Sequence, residues 1–425
     1  MTIEDALSRT ILLMRTDLRP EVSDAHLLDA LLGVVVVIRA GRDTVATHSG
    51  QSALVAAALT MARSGHEVWI DGPDVPMIGA QPPLAFGKLV GALVRAGDDL
   101  LPGRSIRAGL PNAPDLEICF GSVEGPRIGT RALFLDAENW RCELLPRMAR
   151  WSGAGWPIGG IGAAALASSE AFKCAMRRLA GWAREPAFFA SLYKECDTAA
   201  FSFAPDTASE DIRPLDVDMV SGGAIANAAL FALFRCPSVS GRMRVFDDDI
   251  SALSNLNRNA LLLRSALDRP KLDDLASFSG SFVVDPQPRR FTAAEKIASN
   301  ALVGVDHIPS RWTAQAMQPE WLGVGATEGF SVLVSTHRPN QPCAGCLHPV
   351  DAGASDGPIP TAAFVSLLSG LILAARWLRA PDPGMPQQLF CNALRPESWS
   401  RGASAIAPHG YCPVQCAASQ NREVA

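Results

Sequence analysis

Four of the ten cysteines fall in two close pairs, Cys343-Ala-Gly-Cys346 and Cys412-Pro-Val-Gln-Cys416. In a chain of this size such pairs predict metal ligands or redox groups rather than a disulfide framework. Four thiolates from two pairs suit one tetrahedral zinc ion, with a redox disulfide as the alternative and His348 and His409 as spare ligands. A second group begins at the turn Ser221-x-Gly223-x-x-Ala226, a degraded G-x-G-x-x-G. Small residues there let the backbone approach a phosphate at a helix N-terminus, though they equally serve a helix packed closely on a strand. Asp247 lies 24 residues past Gly223, where an acid accepts the hydroxyls of a ribose or simply forms a turn. Lysine is scarce: the 38 basic residues include only Lys88, Lys173, Lys194, Lys271 and Lys296.

The elements that must position these residues alternate in period. A β-branched run predicts a buried strand over 33–39, followed by a helix over 51–64 and a strand over 66–70. Strands over 116–120 and 132–135 and a small-residue helix over 161–179 complete a first round. A second round has a strand ending at Val220, a helix over 224–234, and a strand over 242–246 that runs into Asp247-Asp248-Asp249. Further strands follow over 302–305, 330–335 and 388–392, with a helix over 362–378. Strands alternating with helices of this length predict an α/β fold with a mainly parallel sheet.

The rounds resemble each other weakly, as after a duplication: Ser49-Gly50-Gln51 aligns with Ser221-Gly222-Gly223, and Asp71 with Asp247. The polar segment 201–214 is the natural joint, giving an inactive half over 1–205 and an active half over 206–425. A net charge of −5 offers no broad phosphate-binding surface, so nucleic acid is excluded as an expected partner. The start, Met1-Thr-Ile-Glu-Asp-Ala, reads as no secretory signal, and the 362–378 run is broken by Ser366, Ser369, Gly370 and Arg376. Those breaks predict a core helix rather than a membrane span, and hence a cytoplasmic protein.

The stretch Asp247-Asp-Asp-Ile-Ser-Ala-Leu-Ser-Asn255-Leu-Asn-Arg258-Asn, then Arg-Pro-Lys271, closely resembles the signature of the ThiF/MoeB and ubiquitin-activating enzyme superfamily. The resemblance continues in Val305-Asp306-His-Ile-Pro-Ser-Arg311 and covers residues 215–416, with the first half only weakly similar. It implies two Rossmann-like ThiF-type halves in tandem and activation of a C-terminal glycine carboxylate by attack on the α-phosphate of ATP. By resemblance, Asp247 holds the ribose, while the turn of Ser221, Gly223 and Ala226 and Asp249 of the acid run are further nucleotide-binding residues. Asn255, Arg258 and Lys271 hold the phosphates, and Asp306 organises Mg2+. The family's arginine from a partner half matches Arg9, with Arg15 in reserve.

The same resemblance places Zn2+ on Cys343, Cys346, Cys412 and Cys416, as a structural site remote from the chemistry. The family loop that often carries a thioester-forming cysteine contains none here, over 347–358, which leaves Cys391 in a strand as the only unassigned thiol nearby. The implied protein adenylates a ubiquitin-like protein and hands it to a conjugating enzyme, in a bacterial system of the antiphage type with a JAB-type peptidase; a homodimer stays open. A sulfur-carrier adenylyltransferase and a non-catalytic scaffold with a relic nucleotide fold are the alternatives.

Overall fold

The computed structural model of the chain describes residues 2–204, 214–278, 281–351, 353, 357–379 and 385–420. Among the described residues, fifteen strands form two sheets. The first holds β1 (Val35–Ala40), β2 (Glu67–Asp71), β3 (Ile106–Ala108), β4 (Leu116–Phe120), β5 (Arg131–Ala137), β6 (Arg141–Leu145) and β7 (Ala199–Ser202). The second holds β8 (Leu215–Val220), β9 (Gly241–Phe246), β10 (Phe282–Gln287), β11 (Asn300–Val303), β12 (Trp321–Glu328), β13 (Ser331–His337), β14 (Gln388–Asn392) and β15 (Ala403–Ser404).

The strand orders are β3-β2-β1-β4-β5-β6-β7 and β10-β9-β8-β11-β12-β13-β14-β15. In each, the first five strands are parallel and the rest antiparallel. Apart from the added β15 the topologies are the same, as a duplication requires. Buried parallel strands need apolar side chains on both faces, and Val36 to Ile38 of β1 are all inaccessible. The boundary drawn between 205 and 206 lies outside the described residues; β7 ends at Ser202 and β8 begins at Leu215.

Four helices pack between the sheets: His48–Arg63, Ile158–Arg178, Ala224–Leu233 and Ala363–Leu378. Their small residues permit close approach, and one core runs through both halves. The last helix is buried along its whole length, which explains its apolar run. Among the described residues no helix is long and apolar enough to cross a membrane. Gly370 interrupts that run because two helices cross there: a Cβ would stand 2.4 Å from Ala228 Cβ and 2.5 Å from the Ile225 carbonyl oxygen. Gly370→Ala is therefore expected to destabilise the protein by about 1–3 kcal/mol through overpacking, measured by urea unfolding.

The alignment of Ser49 with Ser221 does not hold in space. Ser49 is inside the helix His48–Arg63, whereas Ser221 belongs to the turn before the helix Ala224–Leu233. The first half inserts a short helix, Arg42–Val45, between its first strand and that helix.

Candidate functional site

In the second half, β8 passes into its helix through Ser221-Gly222-Gly223. Ser221 holds φ 100°, a left-handed conformation that costs a non-glycine residue energy and marks the tightest point of the turn. Its Oγ accepts the Gly223 N–H at 2.9 Å. Asp247, just past β9, accepts the Gly222 N–H at 2.7 Å and the Asp249 N–H at 2.9 Å. An ionised carboxylate has further lone pairs, so Asp247 can still receive hydroxyl groups. Lys271 opens the helix Lys271–Ser277, with Nζ 2.5 Å from Asp249 and 3.6 Å from Asp247. The turn, the acid and the lysine thus meet at the carboxyl ends of parallel strands, where an open α/β sheet binds ligands. Ala226 is fully buried within the helix and serves its packing, with Gly304 after β11 against its backbone.

The loop after Asp247 continues the site. Asn255 Oδ1 accepts the Ala252 N–H at 2.9 Å, so its amide NH2 is the end left to donate. Arg258 donates to the Ser254 carbonyl and, at 3.2 Å, to Asn257 Oδ1. Buried Asn257 donates in turn to Thr10 Oγ1 at 2.9 Å. Thr10 belongs to the N-terminal helix Ile3–Arg15, which a Thr2/Asp5 capping box starts and which packs on the turn Leu253–Asn255. Next to Thr10, the Arg9 carbonyl accepts the Thr361 N–H at 3.2 Å. A helix from the first half is thus fastened to the second at Asn257 and at Thr361.

Four charges converge there. Arg9, Arg258 and Arg311 each feel the carboxylate of exposed Asp306, just beyond β11. Burial lowers all three guanidinium pKa values, and Asp306 partly restores them. Arg258 comes down to about 10 because, after burial, Arg9 repels it. All three remain charged at neutral pH, leaving an excess of positive charge that suits a polyphosphate. Arg15, the reserve, is spent locally on Asp24 at 2.5 Å.

The corresponding crevice of the first half is filled by the chain itself. Asp71, the counterpart of Asp247, is paired at 2.9 Å with buried Arg39, which also holds Glu117 at 2.7 Å. The inserted helix covers the helix N-terminus so closely that a Cβ on Gly50 would lie 2.1 Å from the Thr44 carbonyl oxygen. No phosphate can approach that backbone.

The four paired cysteines meet. Cys343 and Cys412 sulfurs are 3.3 Å apart, Cys346 and Cys416 are 3.5 Å apart, and all four lie within 4.8 Å of one another. A disulfide would need about 2.0 Å, whereas a tetrahedron with metal–sulfur bonds of about 2.3 Å sets edges somewhat under 4 Å. Burial pushes the Cys343 thiol up; against the same effect, Ser419 hydrogen bonds bring Cys416 down to about 7. His348 and His409 are not needed as ligands: His348 Nε2 lies 3.1 Å from Arg311 Nη1. That contact links the segment after Cys346 to Arg311. Gln315 accepts the Ala344 N–H at 3.1 Å and Trp312 donates to the His348 carbonyl at 2.9 Å. The cysteine knuckle therefore braces the helix Ile308–Ala316 that carries Arg311.

Cys391 pairs with Val332 of β13, is 1% exposed, and has its thiol pushed up to about 12 by burial. A nucleophilic thiol needs an exposed, electropositive setting, and this position supplies neither. Cys391→Ala is expected to leave any ATP-dependent activity unchanged and to cost about 1 kcal/mol of stability, read by parallel activity and unfolding assays. The loop 347–358, which has no cysteine, lies partly outside the described residues.

Residues 35–192 match the family model of the BilD N-terminal domain. The match falls on the first half, the one without an open crevice. A curated relative, the uncharacterized protein y4jF of Sinorhizobium fredii, is 26% identical over 236 residues, covering 52% of this chain and 45% of that protein. The alignment thus spans less than half the length of that relative. Among solved structures, E. coli MccB with MccA-N7isoASN superposes with a TM-score of 0.38 at 12% identity, covering 49% of this chain and 67% of the other. E. coli MccB with ATP gives 0.36 at 13%, covering 47% and 65%, and PaaA gives 0.31 at 11%, covering 41% and 60%. Identity and superposition this low leave function to the residues of the site.

Sequence reasoning missed two contributors and gave a third, Arg311, no role of its own. Asn257 and Thr10 are ordinary polar residues whose partnership exists only across the fold. Arg311 stands in the quoted motif, yet its placement against Asp306 and His348 has no local signal.

Proposed function

We propose that the chain adenylates the C-terminal carboxylate of a ubiquitin-like protein, with ATP as co-substrate. The observation that carries this reading is the convergence of Arg9, from the first half, with Arg258 and Arg311 on Asp306 of the second. Two anions, a carboxylate and a triphosphate, must meet for adenylation, and concentrated positive charge in a partly dry crevice offsets their repulsion.

In the proposed step a carboxylate oxygen bonds to the α-phosphorus, the bond from that phosphorus to the bridging oxygen breaks, and pyrophosphate leaves with the electron pair. Asp247 would accept the ribose hydroxyls, and the Ser221–Gly223 turn would meet phosphate through backbone N–H groups. Asn255, Arg258 and Lys271 would hold the phosphates, with Lys271 released from Asp249 by the incoming charge. Arg9 would neutralise the developing charge from the opposite side.

Asp306, an exposed carboxylate among arginines, fits the single protein oxygen that Mg2+ usually takes when it rides on nucleotide phosphates. Magnesium bound there would supply charge neutralisation at the reacting phosphate. The four thiols fit one Zn2+, which would serve structure by bracing Arg311. The closed first half supports one active crevice per chain, with residues 1–205 acting as its inactive partner. The BilD match supports placing the chain in a bacterial ubiquitin-like system, in which a conjugating enzyme would receive the activated protein.

The test is a gel-mobility and mass-spectrometric search for the acyl adenylate. A small glycine-terminated β-grasp protein incubated with the chain and Mg–ATP gains one AMP. No adduct, with ATP shown to bind, would count against this substrate class.

A further inference from the structure

The two halves exchange buried arginines. Arg63 ends the helix His48–Arg63 of the first half and is 1% exposed. Its guanidinium crosses into the second half and donates to the carbonyls of Leu256 at 2.7 Å, Ala260 at 3.1 Å and Leu262 at 2.6 Å. These carbonyls flank Arg258 on the loop that follows Asp247. Arg235, just beyond the matching helix of the second half, is equally buried and makes the reverse crossing. It donates to Gln81 Oε1 at 2.9 Å and to the Pro82 carbonyl at 2.5 Å, on the loop that follows Asp71.

The exchange is symmetric in geometry and asymmetric in consequence. The loop gripped by Arg235 belongs to the filled crevice of the first half. The loop gripped by Arg63 presents Asn255 and Arg258 to the open one. We propose that Arg63 is a positioning residue of the adenylation site, a clamp from the inactive half that fixes the loop bearing Arg258; the proposal rests on the adenylation reading above.

Three carbonyls on one planar, multi-donor group fix the loop in two directions, which a single hydrogen bond cannot do. Thr10 holds the same loop at Asn257, so Arg258 sits between two anchors from the first half. Burial lowers Arg63 to about 9, still charged at neutral pH, and Asp274 faces it from the helix that Lys271 opens. The clamp thus couples the two elements that supply phosphate ligands.

Arg235 provides the control, because its loss removes a comparable interface grip without touching the open crevice. Full-length Arg63→Met and Arg235→Met are compared, with Arg63→Lys as a milder variant that keeps the charge and loses the planar fork. Hydrogen–deuterium exchange should accelerate over 252–263 in Arg63→Met and over 76–88 in Arg235→Met. The KM for ATP in pyrophosphate exchange should rise by about 10- to 100-fold in Arg63→Met, less in Arg63→Lys, and stay within about twofold in Arg235→Met. Equal ATP KM values for the two methionine variants, or unchanged exchange over 252–263, would overturn the proposal. Wild-type protein that binds no ATP would instead overturn the adenylation reading, and the deuterium arm would still decide whether Arg63 clamps the loop.

Discussion

Asp306→Asn is expected to lower ATP–pyrophosphate exchange by about a thousandfold or more, with folding intact. The substitution keeps the shape and removes the one carboxylate that Arg9, Arg258 and Arg311 all face. It takes away the expected magnesium ligand and leaves three guanidiniums without a counter-charge. ATP should still bind, because those arginines remain, so the loss belongs in kcat rather than in KM. Asp306 is itself exposed but faces buried Arg311, so a stability loss of about 1 kcal/mol is expected, too small to unfold the chain. Arg9→Ala should cost about 10³-fold or more in the same assay, the scale of an arginine supplied from outside a phosphoryl-transfer site. A loss of similar size in Asp247→Ala, but read as a higher KM for ATP, would separate nucleotide holding from chemistry.

Loss of the proposed zinc is the second large effect expected. The purified chain should carry one zinc, measured by elemental mass spectrometry, and Cys343→Ser/Cys412→Ser should carry none. Structural zinc contributes about 10–16 kcal/mol to folding in small zinc peptides, so several kcal/mol are at stake even where other packing shares the load. The knuckle has its own small core, in which Ile406 is buried together with Cys343, Cys346 and Cys412. Through Gln315, Trp312 and His348 it braces the helix carrying Arg311, so the double variant should also lose adenylation. A fall in Tm of about 10 °C or more is expected, with exchange lost before global unfolding. A metal-free wild-type chain of unchanged stability would contradict this.

What the sequence makes legible is what is local. Asp247, Asn255, Arg258, Lys271 and Asp306 occur in order along one stretch that resembles a family signature, and Asp247 and Asp306 each follow a run expected to be a strand. The four cysteines were equally plain. Strands β10 and β12 were missed for physical reasons: Pro286 interrupts an edge strand, where a missing N–H is tolerated, and Gly323 and Gly325 thin the apolar pattern of β12. The inserted helix Arg42–Val45 defeated the alignment of the two turns, since nothing in four residues marks it. Arg63 lies furthest from view. It ends a small-residue helix as a basic residue ordinarily does, and its partners are 193 to 199 residues away. Which half supplies which contact is a property of the duplicated fold, and no single segment records it.

The central claim is that one open crevice, completed by a residue from the other half, adenylates a carboxylate. Its most direct test is ATP–pyrophosphate exchange by the full chain with each candidate glycine-terminated β-grasp protein, run beside Arg9→Ala. Exchange that appears only with the cognate protein and disappears in Arg9→Ala is the predicted result. Absence of exchange with every candidate, or full activity of Arg9→Ala, would contradict it.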